Sequence, residues 1–174
     1  MIVAGDEASV YLQATVQVVW APVGQTTVVK VDQNRDNCHF YGSLNLQTGQ
    51  EIVMRTTVMK AVTSVLFLLK LVLAYPNQHI LLLWDRAPWH FGPPSRDFLA
   101  AHPNMEIFYL PPASRDLNPQ EHVWKNAREH VTHTHTINKI DTLADLFEAH
   151  LTENTFPCSL LDLHDYQRLC ARFI

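Results

Sequence analysis

The chain contains the sequence Ile80-Leu81-Leu82-Leu83-Trp84-Asp85, in which five consecutive apolar residues lead directly into a carboxylate. An apolar run of this length predicts a β-strand that is buried on both faces, as central strands of α/β sheets are. Asp85 then lies at the carboxyl end of that strand, where ligand crevices form in open α/β sheets. The stretch therefore predicts both a fold class and the position of a site.

The N-terminal part of the chain predicts more β structure. Residues 2–4 form a short apolar run that Gly5-Asp6 stops, so Asp6, like Asp85, is expected at the end of a strand. Further strands are predicted at residues 11–20, 27–31 and 38–46, with a turn at residues 47–50. We interpret this region as a meander of antiparallel strands.

Helices are predicted after the meander. Across residues 57–75 apolar side chains recur every three or four residues, which predicts a long buried helix whose apolar positions are Val58, Val62, Val65, Leu66, Leu69, Val72 and Leu73. Pro93-Pro94 starts a short helix that runs through residue 101, and residues 105–110 form another strand. The remaining predicted helices cover residues 119–131, 140–151 and 160–173.

This order of elements predicts an α/β fold of the ribonuclease H-like type, with a mixed five-stranded sheet of three antiparallel and then parallel strands, flanked by helices. The chain has 174 residues, of which 47% are apolar, so we expect residues 1–174 to form a single domain.

The composition indicates the cellular compartment and the kinds of partner to expect. The three cysteines (Cys38, Cys158 and Cys170) are widely spaced and form no CxxC pair, which favours a reducing cytosol. The longest apolar stretch, residues 58–73, carries Lys60 and Lys70, so no membrane span is expected. The net charge of −4 argues against a stand-alone nucleic-acid binder. Any tight DNA binding would then belong to a separate module.

A third acid completes a candidate metal site. Glu121 follows Asp85 after 35 intervening residues, in the first turn of a helix for which Asn118 is a good N-cap. The apolar positions expected to pack that helix on the sheet are Val123, Trp124, Ala127 and Val131. Carboxylates from three elements can hold two Mg²⁺ ions for phosphodiester chemistry. Each acid alone could equally cap a turn or complement a helix dipole.

The sequence around these acids is more specific than the acids themselves. Residues 81–90 read LLLWDRAPWH, residues 109–125 read YLPPASRDLNPQEHVWK, and Asp6-Glu7 precedes Trp20-Ala21-Pro22-Val23-Gly24. From Gly5 to about Thr132 the chain resembles the DDE endonuclease domain of mariner-superfamily transposases, specifically the bacterial insertion-sequence family six-thirty. That family has Asp-Asn-Ala-x-x-His after an apolar strand and Leu-Pro-Pro-x-Ser-Pro-x-Leu-Asn-Pro-x-Glu-x-x-Trp before its final glutamate.

The resemblance implies a DNA transposase that cleaves and joins strands at transposon ends. It implies Asp6, Asp85 and Glu121 as catalytic ligands of two Mg²⁺ ions, for which Mn²⁺ can substitute. The implied partner is double-stranded DNA, with TA dinucleotides as the target and a homodimer acting on DNA, in the cytoplasm at the bacterial nucleoid. We expect the family's N-terminal helix-turn-helix modules to lie outside these 174 residues, in a separate DNA-binding domain or an upstream reading frame.

Two positions depart from the family pattern. Arg86 replaces the usual Asn, and Arg115-Asp116 replaces Pro and the variable residue after it. Neither change removes a predicted ligand, and Arg86 could contact a phosphate or crowd the metals. The residues expected to contact DNA are Arg86, Trp89, His90, Arg115, Asn118, Lys125 and Arg128.

Several side chains have two interpretations. His90 could orient Asp85 or a phosphate, or be a surface histidine after a turn. Glu7 points to the strand face opposite Asp6, so it is expected to form a salt bridge or face solvent rather than bind metal. Trp84 and Trp124 are predicted in the core, and a metal tract at His130, His133 and His135 is disfavoured against a frayed helix end.

Two other functions remain open from the sequence. A ribonuclease H-like nuclease that does not join strands, such as a resolvase, would use the same metals. An inactive or domesticated domain that only binds DNA or protein would fit Arg86 and the acidic isoelectric point of about 6.2.

Overall fold

In the computed structural model, which describes residues 1–13, 22–24, 36–133 and 137–157, a five-stranded sheet has the order β3-β2-β1-β4-β5. The first three strands pair antiparallel, whereas β4 pairs parallel to β1 and β5 parallel to β4. The mixed sheet and its ribonuclease H-like order are therefore as predicted. The strands are β1 (Ile2–Tyr11), β2 (Asn37–Asn45), β3 (Glu51–Thr56), β4 (Ile80–Trp84) and β5 (Met105–Tyr109).

Helices cover both faces of the sheet. They are α1 (Ala61–Ala74), α2 (Pro93–Ala101), α3 (Gln120–Ala127), which a π-helical turn at Arg128–Thr132 extends, and α4 (Ile140–Glu153). Phe40 and Tyr41 are neighbours on β2 and belong to different cores, because successive strand residues point to opposite faces. Phe40 packs with α3 and α4, and Tyr41 packs with α1. No helix in these described segments is long and apolar enough to cross a membrane.

The prediction that the first strand stops at Gly5-Asp6 is wrong. β1 continues to Tyr11 because β2 pairs with it along almost its whole length, from Val3 to Tyr11. Its parallel pairing with β4 ends earlier, at Ala4 opposite Leu83. Asp6 therefore lies in mid-strand, just beyond the last residue of β1 that β4 pairs.

The third antiparallel strand is not where the sequence placed it. Strand β3 follows the turn at residues 47–50. Its polar residues Glu51, Arg55 and Thr56 interrupt the apolar pattern from which a strand is predicted. The predicted strand at residues 27–31, most of the one at 11–20, and the predicted helix at 160–173 lie outside the described residues. The strand predicted at residues 38–46 is β2, displaced by one residue.

Helix α1 buries a different face from the one predicted. It begins at Ala61 rather than at residue 57, and its buried residues are Ser64, Phe67, Leu68 and Leu71. The expected core positions Val58, Val62, Leu66, Leu69 and Leu73 are exposed. The helix is apolar on both sides, and the ring of Phe67, which packs against Tyr41 and Trp84 at centroid distances of 5.3 and 6.4 Å, lies on the side that faces the sheet.

The remaining helices were predicted well. Helix α2 has the expected bounds, β5 ends one residue early, and α4 extends two residues further. Helix α3 begins one residue later than expected, and the Asn118 carboxamide oxygen accepts the Gln120 backbone N–H at 3.1 Å. As expected, Val123, Trp124 and Ala127 are fully buried.

Gly42 on β2 allows α3 to lie close to the sheet. It pairs with Asp6 of β1, and a Cβ at this position would lie 2.4 Å from Trp124 Cη2 and from Glu51 Oε1. It would also lie 2.7 Å from Nε2 of Gln120, which donates to buried Glu51 Oε1 at 2.6 Å. The missing side chain therefore makes room for the side chains that anchor α3 beside Asp6.

We expect Gly42→Ala to lower the free energy of unfolding by about 1–3 kcal/mol, because its methyl group overpacks the contact between α3 and the sheet. Urea denaturation monitored by tryptophan fluorescence measures the change. The matched control is Ser43→Ala on the same strand. The Ser43 hydroxyl is buried and has no hydrogen-bond partner among the described residues, so its removal should be nearly neutral. Equal stability of Gly42→Ala and the unaltered chain would contradict the role of Gly42.

Candidate active site

The three predicted acids line one cavity, although they come from distant parts of the sequence. Asp6 is on β1, Asp85 follows β4, and Glu121 is in the first turn of α3. The parallel pairing of β1 with β4 brings Asp6 and Asp85 to the same region of the sheet. The cavity has a volume of about 590 Å³, and its lining also includes Glu7, Arg86, Trp89, Arg115 and Asn118.

Asp6 is a buried carboxylate in a negatively charged environment. Its Oδ2 accepts a hydrogen bond from Trp124 Nε1 at 3.1 Å. Burial raises the pKa of Asp6 to about 7, and repulsion from Glu7, Glu121 and Asp85 adds to the increase. The surroundings of Asp6 thus disfavour its charge unless a cation is nearby.

Asn118 joins the start of α3 to β1. Its side-chain amide donates to the Gly5 backbone carbonyl at 3.0 Å, next to Asp6, while its oxygen accepts the Gln120 N–H. The side chain is buried and both of its polar atoms bond within the protein. Asn118 therefore fixes the position of Glu121 relative to Asp6.

A buried histidine joins two of the acids in this region. His90 Nδ1 lies 2.9 Å from Asp85 Oδ1 and His90 Nε2 lies 2.7 Å from Glu7 Oε1. Although burial acts to lower it, these hydrogen bonds raise the pKa of His90 to about 9. Burial favours the neutral acid at Asp85 as well, but the bonds from His90 and from the Ala87 N–H hold its pKa below the usual value. His90 is therefore a charged residue of the interior, not a surface histidine.

Glu7 was expected to form a salt bridge or face solvent, and the structure selects the salt bridge. The alternation of side chains along a strand correctly placed Glu7 on the face of β1 opposite Asp6. That face is covered by the turn at Pro88–His90. The sequence signal was the direct succession Asp6-Glu7 together with a histidine five residues after Asp85. The hydrogen bond from Trp124 to Asp6 was also missed, since apolar periodicity identifies only the packing of an indole.

Glu121 pairs with Arg115, one of the two departures from the family pattern. The guanidinium Nε bonds to Oε1 of the carboxylate, and Nη2 lies 3.3 Å from Oε2. The Arg115 side chain is 72% exposed and that of Glu121 is 23% exposed, so this is a surface ion pair and is worth little stability. Arg115 takes the position of a counter-ion for Glu121.

The other predicted DNA contacts lie around the cavity or beside it. Arg86 Nε donates to the Leu110 carbonyl at 3.0 Å, which ties this side chain to the end of β5. Trp89 is half-buried in the lining. On the helix of Glu121, Lys125 is exposed and Arg128 is half-buried.

Of the three histidines after α3, the structure describes His130 and His133. The helix does not fray there but continues as the π-helical turn, in which His130 Nδ1 lies 2.8 Å from the Asn126 carbonyl. The His130 ring stacks on His150 at a centroid distance of 5.1 Å, and His135 lies outside the described residues.

Comparison with known proteins gives a family match. The family model described as DDE superfamily endonuclease matches residues 1–144. An uncharacterized protein of Sinorhizobium fredii, y4pE/y4sA, is 39% identical over 51 residues, which are 29% of this chain and 35% of that protein.

Solved structures match the fold. The Mos1 transposase paired-end complex with left transposon end superposes with a TM-score of 0.71 at 16% identity, over 89% of this chain and 48% of that chain. The Mos1 mariner paired-end complex with Mn gives a TM-score of 0.68 at 17% identity, over 89% and 49% of the two chains. The chain thus spans about half the length of these proteins, and at such identities the likeness shows the fold.

We expect Trp124→Phe to lower the free energy of unfolding by about 1–2 kcal/mol more than Trp84→Phe does. Both indoles are fully buried, but only that of Trp124 donates to Asp6, whereas Trp84 Nε1 has no partner among the described residues. The difference between the variants therefore measures the hydrogen bond to Asp6 rather than the loss of ring volume. Urea denaturation of the two variants and the unaltered chain provides the comparison. Equal losses would mean that the bond contributes nothing.

Proposed function

The chain belongs to the DDE superfamily endonuclease family, and on that premise we propose that it is the catalytic domain of a DNA transposase. The observation that carries the proposal is the convergence of Asp6, Asp85 and Glu121 on one cavity. The reaction we propose is cleavage of DNA at transposon ends followed by attack of the freed 3′-hydroxyl on target DNA. The insertion-sequence family six-thirty, within the mariner superfamily, is the group whose motifs support this reading.

The donor set fits two divalent cations. Hard carboxylate oxygens are the ligands that Mg²⁺ and Mn²⁺ prefer, and three elements supply them here. Burial, together with repulsion from the neighbouring acids, raises the pKa of Asp6, and a bound cation would offset both effects. When bound, two such ions would supply a nucleophile near neutral pH and offset charge on the attacking and leaving oxygens. The match to a Mos1 mariner complex with Mn supports this choice of metal.

The protein's own groups would hold the ligands in place. Trp124 donates to one carboxylate oxygen of Asp6, Oδ2, while Asn118 fixes the start of α3. Both oxygens of Glu121 contact Arg115. To bind a metal, the Glu121 carboxylate would therefore have to release Arg115. Arg115 would then be free to contact a DNA phosphate, as would the exposed Lys125. The further proposed DNA contacts are Arg86, Trp89 and Arg128.

The proposed partners are double-stranded transposon ends and a TA target, bound by a homodimer in the cytoplasm at the nucleoid. The match to a Mos1 paired-end complex with left transposon end supports action on transposon ends. We propose that residues 1–174 form one catalytic domain and that a separate domain or reading frame recognises DNA sequence. The net charge of −4 supports this division, since sequence-specific binders usually carry a basic footprint.

One observation favours a second candidate, a domain that binds DNA or protein without catalysis. Arg115 already neutralises Glu121, so the third ligand carries a protein counter-ion in this chain. Calorimetry with Mn²⁺ distinguishes the candidates, because only the catalytic domain requires metal binding. A nuclease that does not join strands would bind metal too, and analysis of the products for strand joining separates it.

We expect Glu121→Gln to abolish metal-dependent nicking of supercoiled plasmid while leaving the melting temperature nearly unchanged. Glutamine keeps the size and can accept one of the two hydrogen bonds from Arg115, but it removes the charge that holds a divalent ion against water. The control is Glu129→Gln, an exposed acid in the turn that follows α3, which should nick like the unaltered chain. Undiminished nicking by folded Glu121→Gln protein would exclude Glu121 from the site.

We expect the chain alone to bind short DNA duplexes with a Kd of about 10⁻⁴ to 10⁻⁶ M at physiological salt and with little sequence preference. Its net charge is negative, and its proposed phosphate contacts are few. Fluorescence anisotropy with a transposon-end duplex and a scrambled duplex of equal length measures both properties. Nanomolar, sequence-selective binding would contradict a separate recognition module.

A further inference from the structure

We propose that His90, anchored by Glu7, is a positioning residue that fixes the orientation of the Asp85 carboxylate for metal binding. The inference rests on the proposed function, and it selects orientation of Asp85 over the DNA contact among the roles that the sequence left open for His90. The geometry of one buried side chain between two acids carries it.

The ring of His90 is immobilised on all sides. It is fully buried and stacks on Trp84 at a centroid distance of 3.6 Å, with 23° between the planes. Its backbone is held by a hydrogen bond from its N–H to the Ala87 carbonyl and by one from the Tyr109 hydroxyl to its own carbonyl. The short turn at Pro88–His90 thus folds the ring back onto the residue that precedes it by five positions.

Both ring nitrogens are used, and both point to carboxylates. Nε2 lies 2.7 Å from Glu7 Oε1, and Nδ1 lies 2.9 Å from Asp85 Oδ1 and 3.2 Å from the Asp85 carbonyl. Each ring nitrogen thus has a carboxylate oxygen as its hydrogen-bond partner. The Glu7 side chain is only 5% exposed, and its contact with Nε2 fixes the rotation of the imidazole.

The contacts of His90 restrict the orientation of the Asp85 carboxylate. Its Oδ1 accepts bonds from His90 and, at 3.0 Å, from the Ala87 backbone N–H, which together define the plane of the carboxylate. The side chain is nevertheless 46% exposed and lines the cavity. The two bonds thus act on one oxygen, and the same carboxylate can present its other oxygen to a metal.

Glu7, Asp85 and His90 have ligand atoms within 4.8 Å of one another, which raises the alternative that they bind a metal themselves. A metal held by these three residues would need the lone pair of one His90 ring nitrogen, and it would therefore replace the hydrogen bond that this nitrogen makes with Glu7 or with Asp85. If His90 were itself a ligand, replacing it by Asn or by Gln would remove the ligand atom in both cases, and the experiment below compares these two variants.

Two substitutions of His90 separate positioning from packing. The amide nitrogen of Asn occupies roughly the place of Nδ1, so His90→Asn keeps a donor toward Asp85. The amide nitrogen of Gln reaches roughly the place of Nε2, so His90→Gln keeps the donor toward Glu7 and loses the one toward Asp85. Both variants lose the ring stacked on Trp84, so a purely structural role would affect them alike.

The experiment measures Mn²⁺ affinity by calorimetry and metal-free melting temperature for both variants and the unaltered chain. We expect His90→Gln to bind Mn²⁺ about 10- to 100-fold more weakly, the usual loss when a group that orients a metal ligand is removed. His90→Asn should retain most of the affinity, and both should melt at similar temperatures below that of the unaltered chain. Equal affinities of folded His90→Gln and the unaltered chain, or equal losses in the two variants, would overturn the inference alone.

Failure of the proposed function has a different signature. If the unaltered chain binds no Mn²⁺, the metal-dependent function is overturned, and this inference with it. If His90→Gln does not fold, proton NMR of the unaltered chain with Mg²⁺ takes its place. Ring protons held between two carboxylates exchange slowly, and the Nδ1 proton of His90 should shift on addition of Mg²⁺. An unshifted Nδ1 proton in a chain that binds Mg²⁺ would exclude coupling between His90 and the site.

Discussion

Four carboxylates share one small region, and their mutual repulsion is the interaction to which the surrounding structure responds. Three groups compensate the four charges: an indole N–H at Asp6, the imidazole of His90 shared by Glu7 and Asp85, and a guanidinium at Glu121. At Asp6, burial and the remaining repulsion from the other acids raise the pKa to about 7. Residual negative charge beside an open cavity is the property that favours a divalent cation there.

The sequence predicted the parts of the fold that depend on one strong local pattern. The apolar run before Asp85, the Pro-Pro start of α2 and the Asn-Pro start of α3 each gave an element within one residue of its observed bounds, when the π-helical turn is counted with α3. The face of α1 could not be chosen this way, because both sides of that helix are apolar and the choice depends on aromatic partners from β2 and β4. Tertiary packing decided what periodicity left open.

For the site, the three acids were found from strand ends, a helix start and their spacing, and they line one cavity. Of the groups that hold them, the sequence offered His90 as a partner of Asp85 and Asn118 as the N-cap before Glu121, but it did not predict the contacts made across the sheet. Trp124 contacts Asp6 across Gly42. Glu7 contacts His90 on the opposite face of β1, where the sequence predicted either a salt bridge or exposure to solvent. Such contacts join residues about 80 or more positions apart, and the local periodicity of apolar residues does not identify them.

The strand order has a consequence for how the protein is made. The parallel pairing of β1 with β4 closes a loop of nearly half the chain, and contacts of such long range form slowly during folding. A ribosome releases Asp6 and the antiparallel strands well before Asp85, and Glu121 later still. Until β4 has docked on β1, the acids are dispersed along an unfinished polypeptide. The carboxylate cluster is thus a late product of biosynthesis, and a nascent or truncated chain has no assembled site.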